Sequence, residues 1–399
     1  MKKNFDIVIV GGGIAGLTVA ALLAQSPVAA RLNITLVDAG ARPRFATKDD
    51  VSLRVSAVAT GSAELLAAAG AWQHVLDARC SAYQHMRVWD ENDYEDSASA
   101  LRFDAAEFAV PQLGFIVENV LLQHSLLQVL DESDVSLSFD TPIRSLMRDG
   151  RQFCLALDEQ QLMADLVIAA DGARSFIRKC AGIETEDWPY EQHAFVTHLM
   201  PELPHRDTAW QRFLRSGPLG MLPLADGRVS VVWSTTPETA AAACAADDSV
   251  LGDMLTDASD EVLGELTVAG PRGSFPLCAR HAKHYVQPGI ALIGDAAHAV
   301  HPLAGQGANL GLQDAACLAE IVADAVSRGL HPGDRPVLRR YERERKGANA
   351  TMLHLMTGLN QLFRTDSWVL GEVRSTGMRL FNRSGPVRER AVRVALGVR

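Results

Sequence analysis

The hydrophobic pattern along the chain alternates between strand-like runs and helical spacing, and glycine marks the switches. Residues 6–10 form a β-branched run that halts at Gly11-Gly12-Gly13, and residues 17–24 follow with the small apolar side chains of a closely packed helix. Residues 33–37 repeat the strand pattern, which completes a strand–helix–strand unit of about 30 residues. Ala and Leu recur at helical spacing over residues 56–69, which predicts a helix there, and residues 119–130 predict another. Two further apolar strands are predicted at residues 166–170 and 290–293. Each ends in a Gly/Asp pair: Asp171-Gly172 after the first and Gly294-Asp295 after the second. Residues 309–325 predict a helix, and from about residue 337 the pattern is helical to the end.

The first turn has the spacing Gly11-x-Gly13-x-x-Gly16, and Asp38 ends the next strand, 22 residues beyond Gly16. Gly11 permits a tight turn, Gly13 lets the backbone approach a pyrophosphate, and Gly16 lets the helix pack on the strand. Free N–H groups at the helix N-terminus then favour phosphate, and Asp38 is placed to accept hydrogen bonds from a ribose. This motif alone does not separate FAD from NAD. The later pairs narrow the choice, because Asp171 and Asp295 each stand at the end of an apolar strand, where a carboxylate suits a polyol such as a ribityl chain. The peptide His301-Pro302-Leu303-Ala304-Gly305-Gln306-Gly307-Ala308-Asn309 then opens a helix whose first amides suit a flavin ring that gains negative charge on reduction.

Between these elements the character changes. Aromatic and acidic residues alternate over 82–115 without a helical period, and 187–275 read as a β-rich layer with a strand at 228–234 and turns at Asp226-Gly227 and Ser216-Gly217-Pro218. The expected fold is therefore α/β: a Rossmann-type FAD/NAD(P)-binding domain with an inserted β-rich substrate domain and a C-terminal helical segment. The binding domain is discontinuous, in residues 1–80, 105–182 and 277–345. The β-sheet substrate domain takes 81–104 and 183–276, and the helical region 346–399.

Composition adds exclusions. A net charge of −10 argues against a general nucleic-acid binder, which works by neutralising phosphates. The six cysteines form no CxxC pair and read as reduced structural thiols of a cytoplasmic protein, and no metal site is expected. The apolar run at the N-terminus is too short for a signal peptide, and no stretch approaches the ~20 apolar residues that span a bilayer.

The three glycine-bearing segments together resemble the aromatic-hydroxylase flavin monooxygenases of the p-hydroxybenzoate hydroxylase fold. More narrowly the chain resembles the ubiquinone-biosynthesis hydroxylases of the UbiH/UbiF/VisC type, through DVSLRVSAVATGSAELLAAAG (50–70), GFIVEN (114–119), DWPYEQ (187–192), GPLGMLPL (217–224), GDAAHAVHPLAGQGANLGLQD (294–314), RRYERERK (339–346) and the tail 377–397. The likeness covers essentially the whole chain, and HPLAGQGANLG is its most specific string. It implies FAD as cofactor, with Arg54 and Asn119 near it and Gly307, Ala308 and Asn309 at the isoalloxazine edge. It further implies O2 as co-substrate, NAD(P)H or another reductant as electron donor, and a C4a-hydroperoxyflavin that hydroxylates a polyprenylated phenol or benzoquinol. Pro302 and Gly305 would lie near the reacting ring. Two positions depart from the pattern: Asp38 stands where Glu is commoner, and Val120 replaces a polar residue that often follows Glu-Asn.

No second Rossmann motif marks a reductant site, and no Ser-His-Asp, HExxH or paired-carboxylate signature competes with flavin chemistry. His298 and His301 read first as loop histidines bonded to backbone or phosphate, with a general-base role as the alternative. Trp89, Tyr190, Phe213 and Trp233 read first as core, with a substrate tunnel as the alternative. From Arg374 to Arg399 the tail carries seven arginines against one acid, Glu389. Val387, Ala391 and Val394 share one helical face there. The arginines fall on another face, and such a basic amphipathic end suits peripheral contact with an anionic inner membrane or an acidic partner such as another ubiquinone-biosynthesis protein, with a solvated helix docked on its own protein as the alternative. Two other functions compete: an FAD monooxygenase of another aromatic metabolite, and a catalytically silent flavoprotein subunit.

Overall fold

A computed structural model describes residues 4–365 and 368–397. The run Phe5–Val10 carries almost no side chain that tolerates water, so it takes a place with neighbours on both edges. It pairs in parallel with Leu32–Val37 on one side and with Leu166–Ala169 on the other, and Leu166–Ala169 pairs in parallel with Ile290–Leu292. Ser136–Ser138 and Val286–Gln287 close the edges of this six-stranded sheet. The helices Ile14–Ala24, Asn119–Asp131 and Gln306–Ser327 share its hydrophobic core. Three strands far apart in sequence thus lie side by side and end at the same edge, which brings Gly11–Gly13, Asp171-Gly172 and Gly294-Asp295 together.

Close approach at that edge requires glycine. Gly11 has φ +113°, and a Cβ there would lie 2.3 Å from the Ala170 carbonyl oxygen. A Cβ on Gly16 would lie 1.9 Å from the Gly11 carbonyl oxygen, so no larger residue lets the first helix sit this close to its strand.

A second sheet, nine-stranded among the described residues, joins His85–Asp90 and Leu101–Asp104 to strands between Thr185 and Ala299. Its longest strand, Thr185–Pro201, pairs antiparallel with Val229–Thr235 and with Gly273–Ala282. The β-rich reading of 187–275 missed two helices, Pro237–Ala245 and Asp248–Ala258. Thr236 caps the first through the Thr239 amide, with Pro237 opening an alanine-rich turn, the pattern of a helix start.

The helix expected at 56–69 also needs correction. Val55–Ala59 is a strand that pairs with Gly114–Glu118, and the helix occupies only Thr60–Ala68. Alanine and serine fit either state, and the partner strand decides between them.

The C-terminal helices Arg335–Arg364, Trp368–Arg383 and Pro386–Leu396 strap both sheets. Buried Arg374 pairs with buried Asp90 at 3.0 Å, and Phe363 stacks on Phe213 with ring centroids 3.9 Å apart. The tail helix docks on its own protein through a face other than that of Val387, Ala391 and Val394. Val392 and Leu396 are buried against Ala105, Phe108 and Leu113, whereas Val387 and Val394 are 64% and 62% exposed. Helical spacing singled out the stripe of Val387, Ala391 and Val394 and missed that of Val392 and Leu396, which is the one the protein covers. Of the tail arginines, Arg374, Arg388 and Arg393 are paired with acids, and Arg399 lies outside the described residues. Among the described residues no helix is long and apolar enough to cross a membrane.

Candidate active site

Where the three turns meet, a cavity of about 1020 Å³ runs from the parallel-sheet edge onto the face of the nine-stranded sheet. That volume is at the upper end for a small-molecule site. Two helices present their first turns to it: Gly13, Ile14 and Ala15 from one, Gly305, Gln306 and Gly307 from the other. Neither N-terminus has a side-chain cap, so their amides remain available to an anionic or electron-rich group. A Cβ at Gly13, Gly172 or Gly307 would meet no atom within 4 Å, which leaves open space beside each backbone. Asp171 Oδ1 is buried with no hydrogen-bond partner at the same turn.

The residues expected to bind cofactor divide into two groups. Gly13, Arg54, Asn119, Asp295, Gly307, Ala308 and Asn309 line the cavity, as do Pro302 and Gly305. Gly11, Gly16, Asp38 and Asp171 do not line it. Asp38 accepts from the Gly12 and Gly40 amides and so fixes the glycine turn. Asp171 accepts from the Phe176 and Ile177 amides at 2.7 and 3.1 Å. A carboxylate offers roughly four acceptor positions, so both retain capacity for a ligand.

Asn309 acts as a clasp. Its side chain is buried, accepts from the Ala59 amide at 2.9 Å and donates to the Ala57 carbonyl at 2.8 Å. These bonds tie the glycine-rich helix to the strand Val55–Ala59, and only its backbone remains for a ligand. Gly305, at φ +63°, makes the approach possible, since a Cβ there would be 2.8 Å from that of Ala57. Asn119 is held through Ser56 Oγ at 2.6 Å. The Arg54 carbonyl accepts from the Asn119 amide at 2.9 Å, its guanidinium makes no hydrogen bond among the described residues, and its charge counts among those acting on Asp295.

Asp295 lines the cavity and is exposed, yet the protein crowds its carboxyl closely. Burial therefore raises its carboxyl pKa, with the charges of His298 and Arg54 pulling the other way. Behind it, His298 Nε2 lies 2.5 Å from Asp314 Oδ2, and Arg345 Nε lies 2.7 Å from Asp314 Oδ1. Asn349 adds a bond to Asp314 at 3.0 Å. Burial alone would raise the Asp314 pKa, but His298 and Arg345 outweigh it and hold the group ionised. His298 is thus bonded to a carboxylate rather than to backbone or phosphate. His301 is buried with no partner on either ring nitrogen and packs edge-on against Tyr190, and burial, aided by Arg364, pushes it down to about 4. His301 is therefore neutral at pH 7 and walled in by protein.

Trp89, Tyr190, Phe213 and Trp233 are core and do not line the cavity. Its aromatic wall is Tyr83, Phe103, Trp210 and Phe275. Sequence reasoning also missed Gln123, which lies four residues after Asn119 on the same helical face, lines the cavity and donates to the Gly12 carbonyl at 3.0 Å. Asp314 was missed too, although an acid within an apolar helical run is itself a signal of buried pairing.

A cradle of this kind, with two uncapped helix starts and three open glycine backbones around one cavity, fits a flavin dinucleotide. The sequence profile of the FAD binding domain family matches residues 4–355. The chain belongs to that family. It is 35% identical to the 3-demethoxyubiquinol 3-hydroxylase of Escherichia coli K12, with 98% of each chain covered. It is 34% identical to the mitochondrial ubiquinone biosynthesis monooxygenase COQ6 of Xenopus tropicalis, covering 98% of this chain and 93% of that one. Among solved structures, Pseudomonas aeruginosa PqsL in complex with 2-aminobenzoylacetate superimposes with a TM-score of 0.78 at 22% identity, over 94% of this chain and 99% of that one. The p-nitrophenol 4-monooxygenase PnpA of Pseudomonas putida DLL-E4 reaches 0.77 at 17% identity, over 99% and 97%. These last two show a shared fold. The family and the full-length relatives make this chain an FAD-dependent monooxygenase.

Replacing Asp314 with Asn leaves Arg345 without its buried counter-charge, and removing one partner of such a pair costs about 3–5 kcal/mol. Because the Asp314 pKa lies below its ordinary value, its contribution is complete above pH ~4 and disappears as pH falls through the lowered value. Urea denaturation of wild type and Asp314→Asn is expected to show that gap unchanged from pH 7 to pH 5 and narrowing only below about pH 4. No gap at pH 7, or one that closes before pH 5, contradicts the pairing.

Proposed function

We propose that this enzyme hydroxylates the ring of a polyprenylated phenol or benzoquinol intermediate of ubiquinone synthesis. The observation that carries the reading is the end-to-end match to relatives named for that pathway, one of them a ring hydroxylase. The cavity supports it, because beyond the polar cradle its lining turns apolar at Leu222, Val232 and Phe275.

When bound, FAD supplies the activation of O2 and the transfer of one oxygen atom, with NAD(P)H or another reductant as electron donor. The protein's share is binding, orientation and exclusion of water. In this reading Gly11, Gly13 and Gly16 shape the pyrophosphate turn, Asp38 serves the ribose, and Asp171 and Asp295 face the polyol chain. Arg54, Asn119 and Gln123 hold the cofactor from the side. The amides at Gly307, Ala308 and Asn309 stabilise negative charge at the far ring, as fixed dipoles do in an oxyanion hole. Pro302 and Gly305 wall the reacting edge. The nine-stranded sheet serves as the substrate domain and keeps that edge dry.

The outer face of the last helix gives the same reading a place to work. Val387, Ala391 and Val394 lie exposed beside Arg383 and Arg390, which make no ion pair among the described residues. An apolar stripe flanked by cations suits an anionic membrane, where a prenylated substrate resides.

Holoenzyme given a prenylated phenol and reductant is expected to consume O2 in proportion to hydroxylated product. O2 uptake indifferent to the phenol, or uptake that yields only peroxide, counts against the reading. Replacing Val387 and Val394 together by Asp is expected to lower co-sedimentation with phosphatidylserine vesicles by roughly tenfold or more, from lost apolar burial and added repulsion. Equal sedimentation of the two proteins removes the membrane contact.

A further inference from the structure

The last helix, Pro386–Leu396, has two jobs in this fold, and the inner one is unassigned. Its residues 392 and 396 face inward on one stripe, roughly opposite to residues 387 and 394. Val392, Ala395 and Leu396 line the same cavity that holds the glycine turns. Across from them stand Met86, Phe103 and Leu113, and Val392 and Leu396 pack with these three in one apolar cluster. None of the six carries a charge or a hydrogen-bonding side chain, and Tyr83, which lines the cavity in the same cluster, adds a hydroxyl but no charge, in contrast to the cradle end with its Arg54, Asn119 and Asp295. The cavity therefore has a polar arm and an apolar arm.

The apolar arm is firmly built. Gly61 lacks a Cβ where the Gly397 carbonyl abuts it, and a Cβ there would come within 2.3 Å of that oxygen. Arg388 pairs with Glu107, and its guanidinium stands over the rings of Phe103 and Phe108, 5.4 Å from each centroid. The helix end is thus fixed against both the first layer and the second sheet. On the opposite face of the same helix Val387 and Val394 are exposed and do not line the cavity.

We propose that Val392, Ala395 and Leu396 form one wall of the subsite that receives the substrate's isoprenoid tail, and so determine preference for a tailed over a tailless ring. This rests on the reading of the substrate as a prenylated ring. A ring seated beside the cradle has its charged and polar needs met there, and a long hydrocarbon substituent must leave along apolar surface. The arm between the last helix and residues 86, 103 and 113 offers that route. Ala395 is the position of choice for a test: it lines the cavity and is exposed rather than part of the buried docking contact, so added bulk narrows the arm and leaves the Val392 and Leu396 contacts in place.

Binding is read on holoenzyme by quenching of tryptophan fluorescence, since Trp210 lines the cavity, with a simple phenol and the same phenol bearing a multi-unit isoprenoid tail. Wild type is expected to bind the tailed phenol at least tenfold more tightly, the scale set by burying a few methylene groups. Ala395→Trp is expected to abolish most of that advantage while leaving the tailless phenol's Kd within about twofold, and Leu396→Ala to reduce it in part. In turnover the same variant raises KM for the tailed phenol with kcat at saturation largely kept. Val394→Ala, on the outer stripe, serves as the control with an unchanged preference. Equal weakening of both phenols in Ala395→Trp, or an unchanged tail preference, overturns the proposal. So does a wild type that binds both phenols alike. A wild type that prefers the tailed phenol, loses the preference in Ala395→Trp and yet hydroxylates neither upholds the subsite and sinks the functional reading instead.

Discussion

Parallel pairing of three strands that are remote in sequence governs everything else in this molecule. Phe5–Val10 sits between Leu32–Val37 and Leu166–Ala169, and Ile290–Leu292 follows on the far side, all running the same way. A parallel sheet ends its strands at one edge, so whatever the chain carries just beyond those ends must share one space. Here that is the glycine triplet, Asp171-Gly172 and Gly294-Asp295. The backbone ladder continues into the turns themselves: the Ala170 amide donates to the Val10 carbonyl at 2.7 Å, and the Ile293 amide to the Ala169 carbonyl at 2.9 Å. The turns are therefore extensions of the sheet, and their geometry is as rigid as the core below them.

Rigidity on the protein side and openness on the ligand side are separated residue by residue. Gly11 and Gly16 are small because backbone presses on them, whereas Gly13, Gly172 and Gly307 are small where nothing presses. Asn309 gives its whole side chain to the strand Val55–Ala59 and leaves amides for the ligand. Behind Gly294, the buried group of His298, Asp314, Arg345 and Asn349 holds the third turn without reaching the cavity. A redox cofactor placed against such a frame meets dipoles that need not reorganise when its charge changes.

The parallel-sheet core was legible in the sequence because its signals are local. A buried run followed by a glycine turn can be read from a few residues, and the paired motifs confirm each other by order alone. What escaped was set by partners distant in the chain. Residues 56–59 carry a helical pattern, yet Gly114–Glu118 recruits them as a strand. The alanine-rich stretch after Thr236 lay hidden in a region dominated by strands. On the last helix, spacing pointed to Val387, Ala391 and Val394, and only the complementary surface at Ala105, Phe108 and Leu113 selects Val392 and Leu396 for burial. The histidines show the same limit: His298 and His301 are three residues apart, yet one meets a carboxylate and the other meets none. Roles that depend on who stands opposite need the fold.

The account stands or falls on whether that shared edge grips a flavin dinucleotide. Titration of apoprotein with FAD, followed by quenching of flavin fluorescence, tests this most directly. Saturation at one flavin per chain is predicted for wild type, with binding lost in a normally folded Gly13→Asp variant, whose carboxylate fills the open space beside the first turn. Correctly folded wild type that leaves FAD fluorescence unchanged, or a Gly13→Asp variant that binds as tightly, would contradict it.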